Sequence, residues 1–252
     1  MDSQERTELV VGFSSTDLPY PDARKGVALV TLVYREPDII QTVKAWKDAL
    51  NIPIYIFADG VDDKTSADLE YLYLDGQIHL QMQLARKGYP RAMREAMIYM
   101  FQKTTYEKIL VTDSDACYSI ESLQSVLNTG ADNISGYRVG RNEVWYRNLY
   151  IKMEKPLMFL LFGLRMQDFT AVCRLMNAHS AYIAASQCKY SKFGFWAEFD
   201  VYWLNAFGAF KEIPVEYTAV PTKIYSPKKL PKIIVQEVLA ILKLRLHRWH
   251  II

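Results

Sequence analysis

A chain of 252 residues, half of them apolar, has material for one large α/β domain with a proper buried core rather than two independent domains. Its 30 basic and 28 acidic residues give a formal charge of +2, which leaves no global electrostatic footprint for nucleic acid, so any attraction to anions has to be local. Cys117, Cys173 and Cys188 lie far apart without a CxxC pair, so neither a disulfide framework nor a zinc site is indicated and a reducing compartment fits best.

Residues 1–26 carry Pro, Gly, Ser and charge without periodicity and read as an N-terminal arm, whose start lacks the basic flank and apolar run of a signal peptide. From Val27 the pattern becomes regular. VALVTLVY (27–34) is a β-branched strand, PDIIQTVKAWKDAL (37–50) a helix after Pro37, and IPIYIFADG (52–60) a second strand ending in Gly, which together make a β-α-β unit. QIHLQMQL (77–84) reads as a strand, RAMREAMIYMFQK (91–103) as a helix, and EKILVTD (107–113) as an apolar strand that stops at acids. This alternation predicts an α/β fold with a mixed, mainly parallel sheet and flanking helices, and ligands at the carboxyl ends of the strands, where Asp59 and Asp113 fall.

Beyond Gly130, 134–140 is a candidate strand, and 146–166 looks helical with an apolar centre broken at Pro156. That stretch is too short to span a bilayer, which takes roughly 20 apolar residues, and reads either as a core helix or as one dipping into the lipid interface. Residues 192–208 suggest a second buried helix and 210–220 a late strand. The domain then runs over 27–229, and 230–252 forms a basic amphipathic C-terminal helix. From Thr222 onward the chain is about +6 and the remainder about −4, an asymmetry that suits an anionic membrane surface, although a solvated helix packed on the core is equally ordinary. The expected location is cytoplasmic and peripheral on the membrane.

The strongest chemical signal is Asp113-Ser114-Asp115, directly after the apolar strand. Two carboxylates spaced by one residue at a strand end can share Mg²⁺ or Mn²⁺, hard cations that take oxygen ligands and keep positions open for phosphate oxygens. A lone D-x-D is a weak motif, since many strands end in a solvated acidic loop. The four histidines show no zinc-protease spacing, so structural or solvated roles are expected of them.

Further matches follow the order found in family 2 glycosyltransferases. Leu32-Val33-Tyr34-Arg35-Glu36 resembles that family's P-x-Y-N-E, with Tyr34 and Glu36 kept. Ala58-Asp59-Gly60-Val61-Asp62-Asp63-Lys64-Thr65 resembles its D-D-G-S-x-D-x-T, and R-K-G-Y-P-R-A (86–92), which contains Arg91, stands where the family has N-x-G-K-x-x-A. Gly136-Tyr137-Arg138 is similar to G-S-R. Asp168-Phe169-Thr170-Ala171-Val172-Cys173-Arg174 aligns with D-x-T-S-G-F-R, a signature of the polyprenyl-phosphate (dolichyl-phosphate) mannose and glucose synthases, and 212–230 is similar to their E-V-P-I-x-F followed by R-x-x-G-x-S-K-L. The resemblance covers most of the chain and implies a GT-A, Rossmann-like fold with a GDP- or UDP-linked sugar as donor. It implies Tyr34, Glu36, Asp59, Arg91, Asp113 and Lys229 at the donor, with Asp59 on the base and Lys229 at its phosphates, and Asp113 and Asp115 at the metal. Arg174 and Arg147 would contact a lipid phosphate, since an Arg fork suits phosphate oxygens. Cys117, Val172 and Ser226 depart from the family pattern.

A phosphate acceptor is already anionic and needs no general base, whereas a hydroxyl does. The first expectation is therefore inverting transfer of a hexose to a polyprenyl phosphate. The second is transfer to a sugar, glycerate or protein hydroxyl with Glu198 or Asp200 as base. The third is a nucleotide- or lipid-binding module without catalysis. The sequence leaves the oligomeric state open.

Overall fold

The apolar runs at 27–34, 52–60 and 107–113 do form adjacent strands in the computed structural model, which describes residues 24–140, 145–189, 194–207, 210–218 and 230–248. In chain order the elements are β1 (Val27–Val33), α1 (Ile39–Leu50), β2 (Ile54–Asp59), α2 (Asp63–Leu74), β3 (His79–Gln83), α3 (Tyr89–Lys103), β4 (Lys108–Val111), α4 (Ile120–Asn128), β5 (Ile134–Val139), α5 (Trp145–Phe162), β6 (Arg174–Asn177), α6 (Ala178–Gln187), α7 (Phe195–Phe207), β7 (Lys211–Glu216) and α8 (Leu230–Arg248).

They build a seven-stranded sheet in the order β3-β2-β1-β4-β6-β5-β7. β1 pairs in parallel with β2 and β4, β2 with β3, and β5 with β7, while β6 runs antiparallel to both β4 and β5. The sheet is thus mixed and mainly parallel with flanking helices. All six residues of β2 are buried, as a strand covered on both faces requires. Helices cover it through apolar residues at helical spacing: Ile39, Val43, Trp46 and Leu50 on α1, and Met93, Ala96, Met97 and Met100 on α3. A second apolar cluster joins α5, α7 and α8 through Met158, Val201, Ile241 and Leu244.

Short polar residues start several helices. Asp62 accepts from the Thr65 N–H ahead of α2, Ser119 from the Ser122 N–H ahead of α4, and Asn177 from the His179 and Ser180 N–H groups ahead of α6. The stretch at 146–166, expected to be helical with its apolar centre interrupted at Pro156, is one helix from Trp145 to Phe162. Pro156 is exposed, where water can meet the carbonyl that loses its donor. Among the described residues, no helix is long and apolar enough to cross a membrane.

Candidate functional site

Parallel pairing puts the carboxyl ends of β2, β1 and β4 side by side, with Val33 opposite Ala58 and Val30 opposite Val111. The chain leaves β4 through Asp113, Ser114 and Asp115, then turns at Ala116, whose φ of 53° is left-handed for a residue with a side chain. That turn brings Cys117 back toward the acids, so that one ligand atom each of Asp113, Asp115 and Cys117 lies within 4.8 Å of the others. Asp115 Oδ1 accepts the Cys117 N–H at 3.3 Å, and the Cys117 Sγ stands 3.7 Å from Asp113 Oδ2 as donor. Burial, then the charges of Asp113 and Asp115, push the Cys117 thiol up, so it stays protonated.

Glu36, just past β1, shares this field. Burial raises its carboxyl to about 7, with Asp115, Asp113 and Asp38 adding to the effect in that order. The donor set suits a hard divalent cation: two partly exposed carboxylates supply oxygens, and a third acid adds negative potential. The Cys117 thiol donates to Asp113 and, as a soft sulfur donor, suits a hard ion less well than the two carboxylates do.

Beside this cluster, Asp59 ends β2 at 6% exposure and accepts the backbone N–H groups of Lys87 (2.6 Å) and Gly88 (2.8 Å). Its carboxylate therefore anchors the basic turn that precedes α3. Gly60 has a φ of 63°, and a Cβ there would lie 2.7 Å from the Arg86 backbone nitrogen, so the two turns pack backbone to backbone. Arg86 in consequence lies over the Tyr34 ring, 3.6 Å from its centroid. Lys87 and Arg91 both pair with Glu95, at 2.6 and 3.1 Å. The turn, α3 and the start of α7 open on a cleft of about 670 Å³ that brings Arg91 and Glu198 together.

The second block of expected site residues lies elsewhere. Arg174 is fully buried, and its guanidinium forms a bidentate pair with Asp200, donates to the carbonyls of Ala171 (2.9 Å) and Phe169 (3.1 Å), and lies over Trp196. Where Arg174 was expected on a lipid phosphate and Asp200 as a base, the structure places the two in a buried pair that neutralises itself: a D-x-T-x-x-x-R segment entering the sheet as β6 turns its arginine inward. Burial lifts the Asp200 carboxyl to about 6, opposed by Arg174. Asp168 pairs in the same interior with Arg138, at 2.8 and 2.9 Å. Glu198 is 4% exposed and accepts the Lys189 N–H at 2.6 Å. Two residues apart on one helix, Glu198 and Asp200 point about 160° apart and cannot serve one site together. Lys229 and the side chain of Arg147 lie outside the described residues, as does most of the N-terminal arm.

Sequence reasoning missed Arg86 as the partner of Tyr34 and Glu154 as a buried acid. The first was signalled only by Gly60 ahead of a basic turn. The second was signalled by Glu154 standing one helical turn before Met158 on the inward face of α5.

No family model matches the chain, and no curated protein matches it. Solved structures do resemble it. Glucosyl-3-phosphoglycerate synthase of M. tuberculosis superposes with a TM-score of 0.56 at 11% identity, covering 89% of this chain and 82% of that one. A protein of Desulfovibrio desulfuricans G20 described as a nucleotide-diphospho-sugar transferase gives 0.50 at 12%, covering 86% and 96%. Residues 1–349 of S. aureus TarS in complex with UDP give 0.50 at 14%, and this chain spans 65% of that length and has 86% of its own covered. The likeness establishes the fold, a GT-A-like arrangement of the kind found in nucleotide-sugar transferases.

Proposed function

We propose that this protein is an inverting, metal-dependent glycosyltransferase that moves a hexose from a GDP- or UDP-linked sugar to a polyprenyl phosphate, working peripherally on the cytoplasmic face of a membrane. The observation that carries the reading is the carboxylate pair Asp113 and Asp115 at the end of β4, beside Asp59, Tyr34 and Glu36, in a GT-A-like sheet. Fold neighbours that include a glucosyl-3-phosphoglycerate synthase and a UDP complex of TarS support a nucleotide-sugar donor.

In this reading Asp113 and Asp115 hold Mg²⁺ or Mn²⁺, which when bound supplies positive charge to the diphosphate leaving group. Asp59 keeps acceptor capacity for a base N–H beyond the two backbone bonds it accepts. Arg86, stacked on the Tyr34 ring, belongs to the same basic turn that Asp59 holds, and Arg91 and Lys229 answer the donor phosphates. A phosphate oxygen of the acceptor attacks the anomeric carbon from the face opposite the leaving group. The bond from that carbon to the diphosphate breaks, and the nucleoside diphosphate departs with the electron pair. No proton has to be removed, so the protein's task is to position and screen two anions. Arg147 is the candidate for that task, since Arg174 is already committed to Asp200.

A second reading has its own observation. Glu198 opens with Lys87 and Arg91 on the cleft at α3, which supports a hydroxyl acceptor bearing negative charge elsewhere, with Glu198 as base.

Transfer of radiolabelled sugar from GDP-mannose and UDP-glucose, with Mg²⁺ or Mn²⁺ and a short-chain polyprenyl phosphate, tests both. The first reading expects organic-phase label, reduced at least a hundredfold by Asp115→Asn and left by Glu198→Gln. Water-soluble product abolished by Glu198→Gln would replace it with the second. Absence of turnover of any donor would remove both in favour of a binding module.

A further inference from the structure

Helices α5 and α8 each carry apolar side chains that the described residues leave uncovered. On α8, Val235, Leu239, Leu242 and Leu246 are 57%, 50%, 40% and 38% exposed. Their spacing of four, three and four residues keeps them within a stripe about 60° wide along about three turns. Ile233, Ile241 and Leu244, on other sides of the same helix, are buried. Helix α8 therefore offers more apolar surface than the fold uses. Helix α5 packs against it around Met158, Ile241 and Leu244, and exposes Met153, Phe159 and Leu160, the last at 80%.

The charges say what covers this surface. Lys152, Lys155, Lys232 and Lys243 are exposed on the two helices, and Arg165 is exposed just past α5. The acids of the same segments, Glu154 and Glu237, are buried at 3% and 2%. Among the described residues of α5 and α8, no acidic side chain faces outward. A solvated helix pair would mix signs there. A second copy of the chain would bring two cationic faces together, which Coulomb repulsion opposes. An anionic bilayer meets both features, with lipid headgroups for the lysines and the acyl boundary for the leucines.

We propose that α5 and α8 lie together in the headgroup layer of an anionic bilayer, their axes in the membrane plane, with the leucine stripe immersed and the lysines on lipid phosphates. Among the described residues, neither helix is long and apolar enough to cross. The inference concerns where the chain sits, and it holds whichever acceptor the protein uses.

The test is co-sedimentation of the full chain with two kinds of vesicle: phosphatidylcholine alone, and phosphatidylcholine with about a third phosphatidylglycerol. The variants are Leu239→Glu/Leu242→Glu, Leu160→Glu and Lys232→Glu/Lys243→Glu. All five positions are exposed, so thermal unfolding should stay unchanged and circular dichroism guards against misfolding. The wild type is expected to bind the anionic vesicles in a salt-sensitive way and to leave the neutral ones. Each apolar change should weaken binding about tenfold, and the double charge reversal about fivefold per lysine or more. No binding to anionic vesicles, or undiminished binding by Leu239→Glu/Leu242→Glu, would overturn the proposal. So would a concentration-dependent dimer in sedimentation velocity that the same pair abolishes without any vesicle binding. Because the readout is binding, it is independent of sugar transfer: an inactive chain that binds leaves the proposal standing, and an active chain that does not bind removes it.

Discussion

The carboxyl of Glu154 is 3% exposed in α5, and neither of its oxygens has a hydrogen-bond partner. Burial first, then the charges of Asp168, Asp200 and Glu237, raise it to about 8, against the opposing pull of Arg138. An acid whose folded-state value stands above its unfolded 4.5 binds more protons when folded, so it costs nothing while both states are protonated and destabilises progressively as the pH rises from about 4.5 to about 8. At about 1.4 kcal/mol per unit, the cost at pH 9 is on the order of 3–5 kcal/mol. Glu154→Gln keeps the shape of the protonated acid and removes the titration. Urea unfolding between pH 5 and pH 9 should show the variant matching the wild type at the acid end and exceeding it by a few kcal/mol at the alkaline end. Equal slopes in the two proteins would mean that Glu154 is ionised and solvated. At this scale the sequence disclosed what stands next to what along the chain. Asp113 and Asp115 were legible because a strand end presents its neighbours predictably. The pairing of Arg174 with Asp200 was not, since two residues that far apart in the chain meet only through the fold.

Between β2 and α3, one glycine holds two turns together. Gly60 combines a left-handed backbone with an approach to Arg86 that leaves no room for a Cβ. Gly60→Ala has to strain the first or displace the second, at a cost of about 2–3 kcal/mol in stability. Displacing Arg86 takes its guanidinium off Tyr34 and loosens the 87–88 turn from Asp59, so nucleotide affinity should fall about tenfold alongside the stability. Calorimetric titration with UDP and GDP, together with a thermal melt, checks both. Loss of stability at unchanged affinity would separate this turn from the donor site. The elements themselves were readable in the first half of the chain, where β-branched runs alternate with amphipathic helices and the strand ends fall within a residue or two of expectation. Helices α2 and α4 were missed because their apolar faces are short, with Leu69 and Leu72 buried on one and Leu123 and Val126 on the other. Their capping residues were the better signal. Strand β6 was hidden because four residues, one of them charged, carry no periodicity.

The mixed sheet sets the limits of inference for the whole molecule. Parallel strands β3, β2, β1 and β4 follow the alternation of the sequence, and they alone account for the carboxylate cluster. The other half depends on an antiparallel β6 inserted between β4 and β5, which local patterning does not encode. Arg174 ties that inserted strand to α7 through Asp200, with both side chains fully buried. Breaking such a pair from one side leaves an uncompensated charge in the interior, at about 3–5 kcal/mol, whereas replacing both partners with apolar residues of similar volume is far milder. Arg174→Ala should therefore lower the melting temperature severely, and Arg174→Met/Asp200→Leu should recover most of it. The double variant also separates structure from chemistry. If the pair only fastens β6 to α7, the refolded double variant should transfer sugar within about threefold of wild type, a change in barrier of less than about 1 kcal/mol. If instead it turns over donor while transfer to polyprenyl phosphate collapses, then Arg174 reaches the acceptor phosphate in a conformation where it lets go of Asp200. The site would in that case extend from the parallel half of the sheet into the inserted one.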